Sequence, residues 1–434
     1  MTHPRPFVWI SDEVRRIART YRVPEEILAS IRGDKKRLAK AYRAAFDRQY
    51  FDLVAAKGEV ELLGRVTTFS ITPRDDDVII ALNFPTTRVL YFVRRDEFMK
   101  RDEDEWYKRL TDWIWVKARL VKPRKEKAKS FWKAERIAFA KVEEDRESWR
   151  HLVERYRAAR VKPARFAALV ALLGYNPTKI FGEPAAELLL LARVLPLVSP
   201  EPIHVFELSR PGTGKTSVAL RYRLALRWLY FNEPPTPPSI AGDARTGRSP
   251  VAGAGGVWFD EVDKWPHRRT KLERINEAIE ILLTAMEQGL WRRGAGGEKQ
   301  IEVYNAIPLY FSGNVDVAAE PRERLKAIIA EASGSAAAQA FNERIAVAVA
   351  VVKAVDDLIQ RAVLPVVGRA AALRGAVADL RDEYYRVTVK CETEYRGRFA
   401  KHHQRVARAL KVLFEADDEQ VCELARNLVA GVTA

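Results

Sequence analysis

The 434-residue chain is 47% hydrophobic and 30% charged, too long for one ordinary core and too apolar to be disordered, so two or three domains are expected. Its 74 Lys and Arg outnumber 58 Asp and Glu, and the formal charge of +16 calls for a polyanionic partner, nucleic acid first. The two cysteines, Cys391 and Cys422, have no ligand spacing, which argues against a disulfide scaffold or cysteine zinc site and for an intracellular chain.

The start, Met1-Thr-His-Pro-Arg-Pro, lacks the pattern of a signal peptide, and no apolar run reaches the length of a bilayer span, so a cytoplasmic protein without a membrane partner is expected. Scarce Met and abundant charge are the compositional tilt of hyperthermophile proteins. Residues 11–51 carry apolar side chains at helical spacing behind Ser11 as a cap, so a helical segment is predicted over 1–58. The charge is uneven: residues 1–200 hold 41 basic and 28 acidic side chains, whereas 201–434 hold 33 and 30.

Five runs rich in β-branched and aromatic residues, 60–71, 77–83, 87–93, 113–121 and 131–140, predict strands. Five strands in so short a stretch suggest a small barrel of the oligonucleotide-binding (OB-like) kind over 59–145. Its densest charge comprises Lys117, Arg119, Lys122, Arg124, Lys125, Lys127, Lys129 and Lys133, interleaved with Trp115 and Trp132. Basic side chains neutralise phosphates and aromatic faces stack on unpaired bases, which suits single-stranded or melted nucleic acid; a solvated sheet edge blunted with Lys is the alternative. A helical linker over 146–174 follows, with a break at Tyr175-Asn-Pro-Thr.

The short apolar strand 203–208 runs into Ser209-Arg-Pro-Gly-Thr-Gly-Lys-Thr and a predicted helix over 217–231. Strand, glycine-rich loop and helix form a phosphate cradle in which Pro211, Gly212, Thr213, Gly214, Lys215, Thr216 and Ser217 would hold ATP, and Thr216 would ligate Mg²⁺. Ser209 stands where the usual pattern has its first glycine. An apolar strand then ends in Asp260-Glu261, the first suited to the Mg²⁺ shell and the second to polarising a water. The strand 306–311 leads to Ser312-Gly-Asn314, where Asn314 can orient that water or simply form a turn. Arg344 heads the apolar strand 345–352 and reads as either a finger entering a neighbouring subunit's site or a surface charge. These elements are expected at the carboxyl ends of parallel strands.

The ordered set Pro-Gly-Thr-Gly-Lys-Thr, Phe-Asp-Glu, Asn314 and Arg344 resembles AAA+ ring ATPases, and Gly256-Val-Trp-Phe-Asp-Glu-Val-Asp-Lys with Ala285-Met-Glu-Gln-Gly resembles minichromosome maintenance (MCM) helicases. In that likeness 290–304, with Arg292, Arg293 and Lys299, matches a DNA-touching pore hairpin; an exposed glycine-rich loop is the alternative. Over about 185–430 the chain is similar to the Lon-like ATPases of BREX phage-defence systems (BrxL), through Leu190-Leu-Ala-Arg-Val-Leu-Pro-Leu-Val, Met286-Glu-Gln-Gly-Leu-Trp-Arg-Arg-Gly and Ala340-Phe-Asn-Glu-Arg-Ile. The resemblance implies an α/β P-loop AAA+ core over 175–355 and a C-terminal helical lid over 356–434. In the lid Arg398 is the sensor-two candidate, with Arg396 or Arg405 as alternatives. It further implies a hexamer or double hexamer encircling DNA. A MoxR-type protein-remodelling ATPase and an ATP-regulated DNA-binding defence factor are the rival readings.

Overall fold

Alternating apolar positions fold the front of the chain into strands β1 (Glu59–Ile71), β2 (Asp77–Asn83), β3 (Arg88–Arg94), β4 (Trp113–Val121) and β5 (Trp132–Phe139). The computed structural model describes residues 43, 48–71, 77–83, 88–94, 113–121, 132–139, 146–242, 249–267, 272–294, 300–315, 319–352 and 369–433. The five strands close a barrel in the order β1-β2-β3-β5-β4. Only β3 and β5 pair in parallel; the other neighbours are antiparallel. Helix α1 (Arg48–Ala55) contacts β1 and β4 and buries Phe51, Val54 and Ala55. Apart from Arg43 and residues 48–58, the predicted N-terminal helical segment lies outside the described residues.

Helices α2 (Arg146–Ala158) and α3 (Ala164–Leu172), read from sequence as a linker, pack into the main core with α4 (Pro184–Val198). Helix α4 is apolar nearly all round, and its Leu189, Leu190, Val194 and Leu195 are fully withdrawn from water. Each such side chain contributes about 1.5–3 kcal/mol. The core sheet comprises β6 (Val205–Ser209), β7 (Trp228–Phe231), β8 (Gly256–Phe259), β11 (Leu309–Asn314), β12 (Val347–Val351) and β13 (Val432–Thr433). They are all parallel, in the order β13-β12-β6-β11-β8-β7. Period-two alternation places Trp258 stacked on Tyr310 at 3.9 Å between centroids, while Phe259 stacks on Phe311 at 5.0 Å. The first pair joins one buried cluster and the second another, so successive residues feed the cores on the two faces of the sheet.

After β6, helix α5 (Lys215–Leu226) stops at Arg227, which takes φ +60°, and the chain turns into β7. The sequence-predicted helix over 217–231 is thus shorter, because Trp228-Leu-Tyr-Phe is drawn into the sheet edge beside β8. Helix α6 (Leu272–Gln288) leads into the hairpin β9 (Leu290–Gly294) and β10 (Gln300–Tyr304), antiparallel with Gly294 opposite Gln300. Helices α7 (Pro321–Ser333) and α8 (Ser335–Asn342) precede β12. The C-terminal segment forms α9 (Arg369–Arg386), α10 (Arg398–Phe414) and α11 (Asp418–Ala430), then adds β13 to the sheet, a strand the helical reading did not anticipate.

Cys391 and Cys422 form a disulfide, with Cα atoms 5.5 Å apart. This corrects the expectation from their sequence spacing: the chain before α10 folds back on α11, which brings together thiols that lie 31 residues apart. No helix among the described residues is long and apolar enough to cross a membrane.

Candidate nucleotide site

The C-terminal ends of β6, β11 and β8, three neighbouring parallel strands, meet at one cleft of about 620 Å³, the position where open α/β sheets bind ligands. Between β6 and α5 the loop turns through Gly212 and Gly214, at φ +90° and +80°, a conformation glycine adopts without steric cost. The cleft is lined by Pro211, Gly212, Thr213, Gly214, Lys215, Thr216 and Ser217. Free N–H groups at the start of α5 and its dipole make this end an anion site.

Lys215 is buried, and its Nζ donates to the Ser209 carbonyl at 3.0 Å and to Oδ1 of Asn314 at 3.0 Å. Burial pushes its pKa below the usual lysine value, opposed chiefly by the charge of Glu207. Asn314, on the last residue of β11, is held in turn: its N–H donates to Oδ1 of Asp263 at 3.0 Å. A Cβ on the preceding Gly313 would lie 2.9 Å from that same oxygen, so a side chain there would push Asp263 off its bond to Asn314.

Asp260 follows β8, is buried and has both oxygens engaged. Oδ2 accepts from Thr216 Oγ1 at 3.3 Å and Tyr230 OH at 3.0 Å, and Oδ1 accepts from Ser312 Oγ at 2.8 Å and Glu261 N–H at 3.0 Å. Burial, and next the Asp260 charge, push the Tyr230 phenol up to about 12. The Thr216 hydroxyl beside the Asp260 carboxylate is a pair of hard oxygen donors, the chemistry that fits Mg²⁺. Glu261 takes φ +54°, a left-handed conformation that costs a non-glycine residue of order 1 kcal/mol and is concentrated at functional sites. Its carboxylate lines the cleft and accepts from Lys264 Nζ at 2.5 Å.

Arg344 and Arg398 are brought together, but away from this cleft. β12 runs beside β6 with Val347 at Val205 and Val351 at Ser209, so Arg344, three residues before Val347, lies at the amino end of the sheet. The expected carboxyl-end placement is therefore corrected for Arg344. Its Nη2 bonds Glu287, whose other oxygen accepts from Arg398 at 2.5 Å; Arg398 also reaches Glu343 at 3.0 Å. The Arg398 bond, then the Arg344 and Arg398 charges against opposing burial, hold the Glu287 carboxyl below its usual range. Buried Arg322 fixes the turn that carries Arg344, donating to the carbonyls of Asn342 at 3.0 Å and Ile345 at 3.0 Å. Neither alternative to Arg398 lines the cleft: Arg396 is exposed, and Arg405 pairs with Glu201 at 3.0 Å.

Of the expected nucleic-acid contacts, Arg119 is exposed on β4, at alternate strand positions from Trp115 and Lys117, while Ala118 and Leu120 are buried. Trp132 and Lys133 open β5. Lys122, Arg124, Lys125, Lys127, Lys129 and Lys299 lie outside the described residues. Arg292 is exposed on β9, whereas Arg293 folds back to the Gly242 carbonyl at 3.3 Å and faces Glu277 at 3.7 Å.

Sequence reasoning missed the groups that support the site: Tyr175, Arg193, Glu207, Tyr230, Asp263 and Ser312. Glu207 was the one with a signal, a carboxylate in the middle of an otherwise apolar strand.

Residues 150–354 match the family model described as Lon-like protease BrxL-like, ATPase domain. The chain is also 26% identical over 304 residues to protein 440 of Sulfolobus islandicus rod-shaped virus 1, covering 67% of this chain and 65% of that one. It is 36% identical over 116 residues to protein ORF425 of Acidianus filamentous virus 2, and 34% identical over 151 residues to ORF426 of Acidianus filamentous virus 1. These cover 26% and 34% of the respective chains on both sides, so less than two thirds of each viral relative is spanned. The ATPase-domain likeness coincides with the segment that builds the cleft, and is what its phosphate loop, acidic pair and parallel sheet would require.

Proposed function

We propose that the chain is an ATP-hydrolysing AAA+ ring motor that binds, encircles and remodels or translocates on DNA. The observation that carries this reading is the convergence of Lys215, Thr216, Asp260, Glu261 and Asn314 on one cleft from three neighbouring strand ends. In it, Lys215 and the N–H groups of Gly214 and the start of α5 hold the β- and γ-phosphates of ATP. Glu261 receives the proton of the attacking water, and Asn314 orients that water. Thr216 and Asp260 would hold Mg²⁺, which would supply positive charge to offset that of the phosphates.

Among the described residues, no cation of the C-terminal helices α9 to α11 lines the cleft. Arg344 and Arg398, clustered on Glu287, are therefore assigned to the site of a neighbouring subunit, where a guanidinium stabilises charge developing in the transition state. The helices α9 to α11 serve as the lid. The closed five-stranded barrel has the size and strand count of OB folds, and with exposed Arg119 it supplies the DNA-gripping collar; the β9–β10 hairpin with Arg292 supplies a second contact.

Electron microscopy of the full chain with a non-hydrolysable ATP analogue and duplex DNA tests the assembly. Closed rings threaded by DNA are expected; dispersed monomers under those conditions contradict the ring. Strand displacement on a forked duplex separates a helicase from a DNA-bound ATPase that does not translocate.

A further inference from the structure

Behind the phosphate loop lies a fully buried ion pair, Arg193 on α4 and Glu207 on β6. Arg193 Nε donates to Glu207 Oε2 at 2.9 Å and Nη2 to Oε1 at 2.7 Å, a bidentate pair. Although burial opposes both charges, each stabilises the other: Glu207 is held below the usual carboxylate range and Arg193 above the usual guanidinium value. Glu207 Oε2 also accepts from Tyr310 OH at 2.5 Å, and the pair reaches the loop as well. Arg193 Nη1 donates to the carbonyl of Thr213 at 2.8 Å and to Tyr175 OH at 3.1 Å. Glu207 accepts from Ser209 Oγ at 2.6 Å, and that hydroxyl lies 2.9 Å from Thr213 Oγ1 and accepts from Lys215 Nζ at 3.2 Å.

Across a trans peptide the C=O and the following N–H point in opposite directions. Holding the Thr213 carbonyl inward on Arg193 therefore turns the Gly214 N–H outward, into the cleft. Without that bond the peptide between Thr213 and Gly214 is free to flip, since Gly214 at φ +80° has little steric preference, and a flipped peptide would present a carbonyl oxygen to an incoming phosphate. The serine that replaces the usual first glycine belongs to the same device: its hydroxyl joins Glu207, Thr213 and Lys215 in one network.

We propose that Arg193 is a positioning residue for phosphate binding, acting through the Thr213 carbonyl to aim the Gly214 N–H at the nucleotide, with Glu207 and Ser209 as its anchor. This inference rests on the reading of the cleft as an ATP site.

The experiment compares ATP and ADP affinity, by titration of the full chain with a fluorescent analogue of each, in wild type, Arg193→Lys and the double variant Arg193→Met/Glu207→Gln. The double variant removes both charges of the Arg193–Glu207 pair together, whereas Arg193→Lys also keeps the Glu207 charge that supports Lys215. Lysine keeps a positive charge opposite Glu207 but lacks the planar fork that serves the carboxylate and the carbonyl together. Both variants are expected to bind ATP and ADP roughly 10- to 100-fold more weakly, the range for losing a charged hydrogen bond, with melting temperatures close to wild type for Arg193→Lys. If the double variant does not fold, Arg193→Lys decides alone. Wild-type affinity in a folded Arg193→Lys protein overturns the inference while leaving the ATP site standing; absence of nucleotide binding by wild type overturns the ATP site itself.

Discussion

The ammonium of Lys215 lies 3.0 Å from the amide oxygen of Asn314, a contact between the first residue of α5 and the last of β11 that spans 99 positions of sequence. It ties the lysine proposed to hold phosphate to the residue proposed to orient water. Both groups face the cleft, so a γ-phosphate entering between them is felt by both.

Lys215→Ala is accordingly expected to abolish nucleotide binding, whereas Asn314→Ala should preserve binding and lower kcat by about 100-fold or more, the usual worth of positioned proton-transfer machinery. Binding by fluorescence titration and turnover by phosphate release separate the two. Equal loss of binding in both variants would remove Asn314 from the water-orienting role.

Glu261→Gln should trap ATP. The amide keeps the size of the side chain and its place in the cleft but cannot take up a proton, so bound nucleotide recovered after rapid gel filtration is expected as ATP, where wild type yields ADP. Turnover at the wild-type rate would reassign the base.

Arg344 and Arg398 make a prediction about subunits. Arg344→Ala is expected to bind ATP normally and to hydrolyse it at under about a hundredth of the wild-type rate, given what a transition-state guanidinium contributes. Mixing it with Lys215→Ala should restore part of the activity, because mixed rings contain sites with an intact loop facing an intact arginine. A mixture no more active than its components argues that the arginine serves no neighbouring site.

The disulfide closes a loop between cysteines 31 positions apart, for which the chain-entropy relation gives about 3–4 kcal/mol. Replacing both Cys391 and Cys422 by Ser should lower the melting temperature by several degrees, and reductant should do the same to wild type and nothing to the variant. Reductant-insensitive melting of wild type would contradict a contribution from the bond.

Acidification should destabilise the fold through its buried histidines. Burial lowers His402 to about 4 and His204 to about 3, despite hydrogen bonds to the carbonyls of Glu343 and Met286. The unfolded chain binds these protons near pH 6.5, so stability is full above that value and falls as pH drops toward 4, by about 1.4 kcal/mol per pH unit per histidine. Denaturant midpoints at pH 7 and 5 should differ, and His402→Gln should narrow the difference. An unchanged difference would show that His402 does not titrate on unfolding.

Much of the site was legible because its chemistry is local. The phosphate loop is one run from Ser209 to Thr216, and the acidic pair Asp260-Glu261 follows an apolar strand, so periodicity and residue type place both. The barrel strands were legible for the same reason, with ends within a residue of those found. The failures are all long-range. Trp228–Phe231 reads equally as helix or strand until β8 is there to pair with it. Cys391 and Cys422 come together only through the packing of the C-terminal helices. The bonds among Arg193, Glu207 and Thr213 depend on α4 crossing behind β6, and the grouping of Arg344 with Arg398 depends on Glu287 at the end of α6; neither leaves a pattern in a linear window.

The most direct test of the account is phosphate release by the purified full chain, with and without duplex DNA, at low and moderate salt, beside the Lys215→Ala variant. Turnover that rises with DNA, weakens with salt as phosphate contacts are screened, and disappears in Lys215→Ala is the predicted result. Turnover that DNA leaves unchanged at every salt concentration, or that survives in Lys215→Ala, would contradict it.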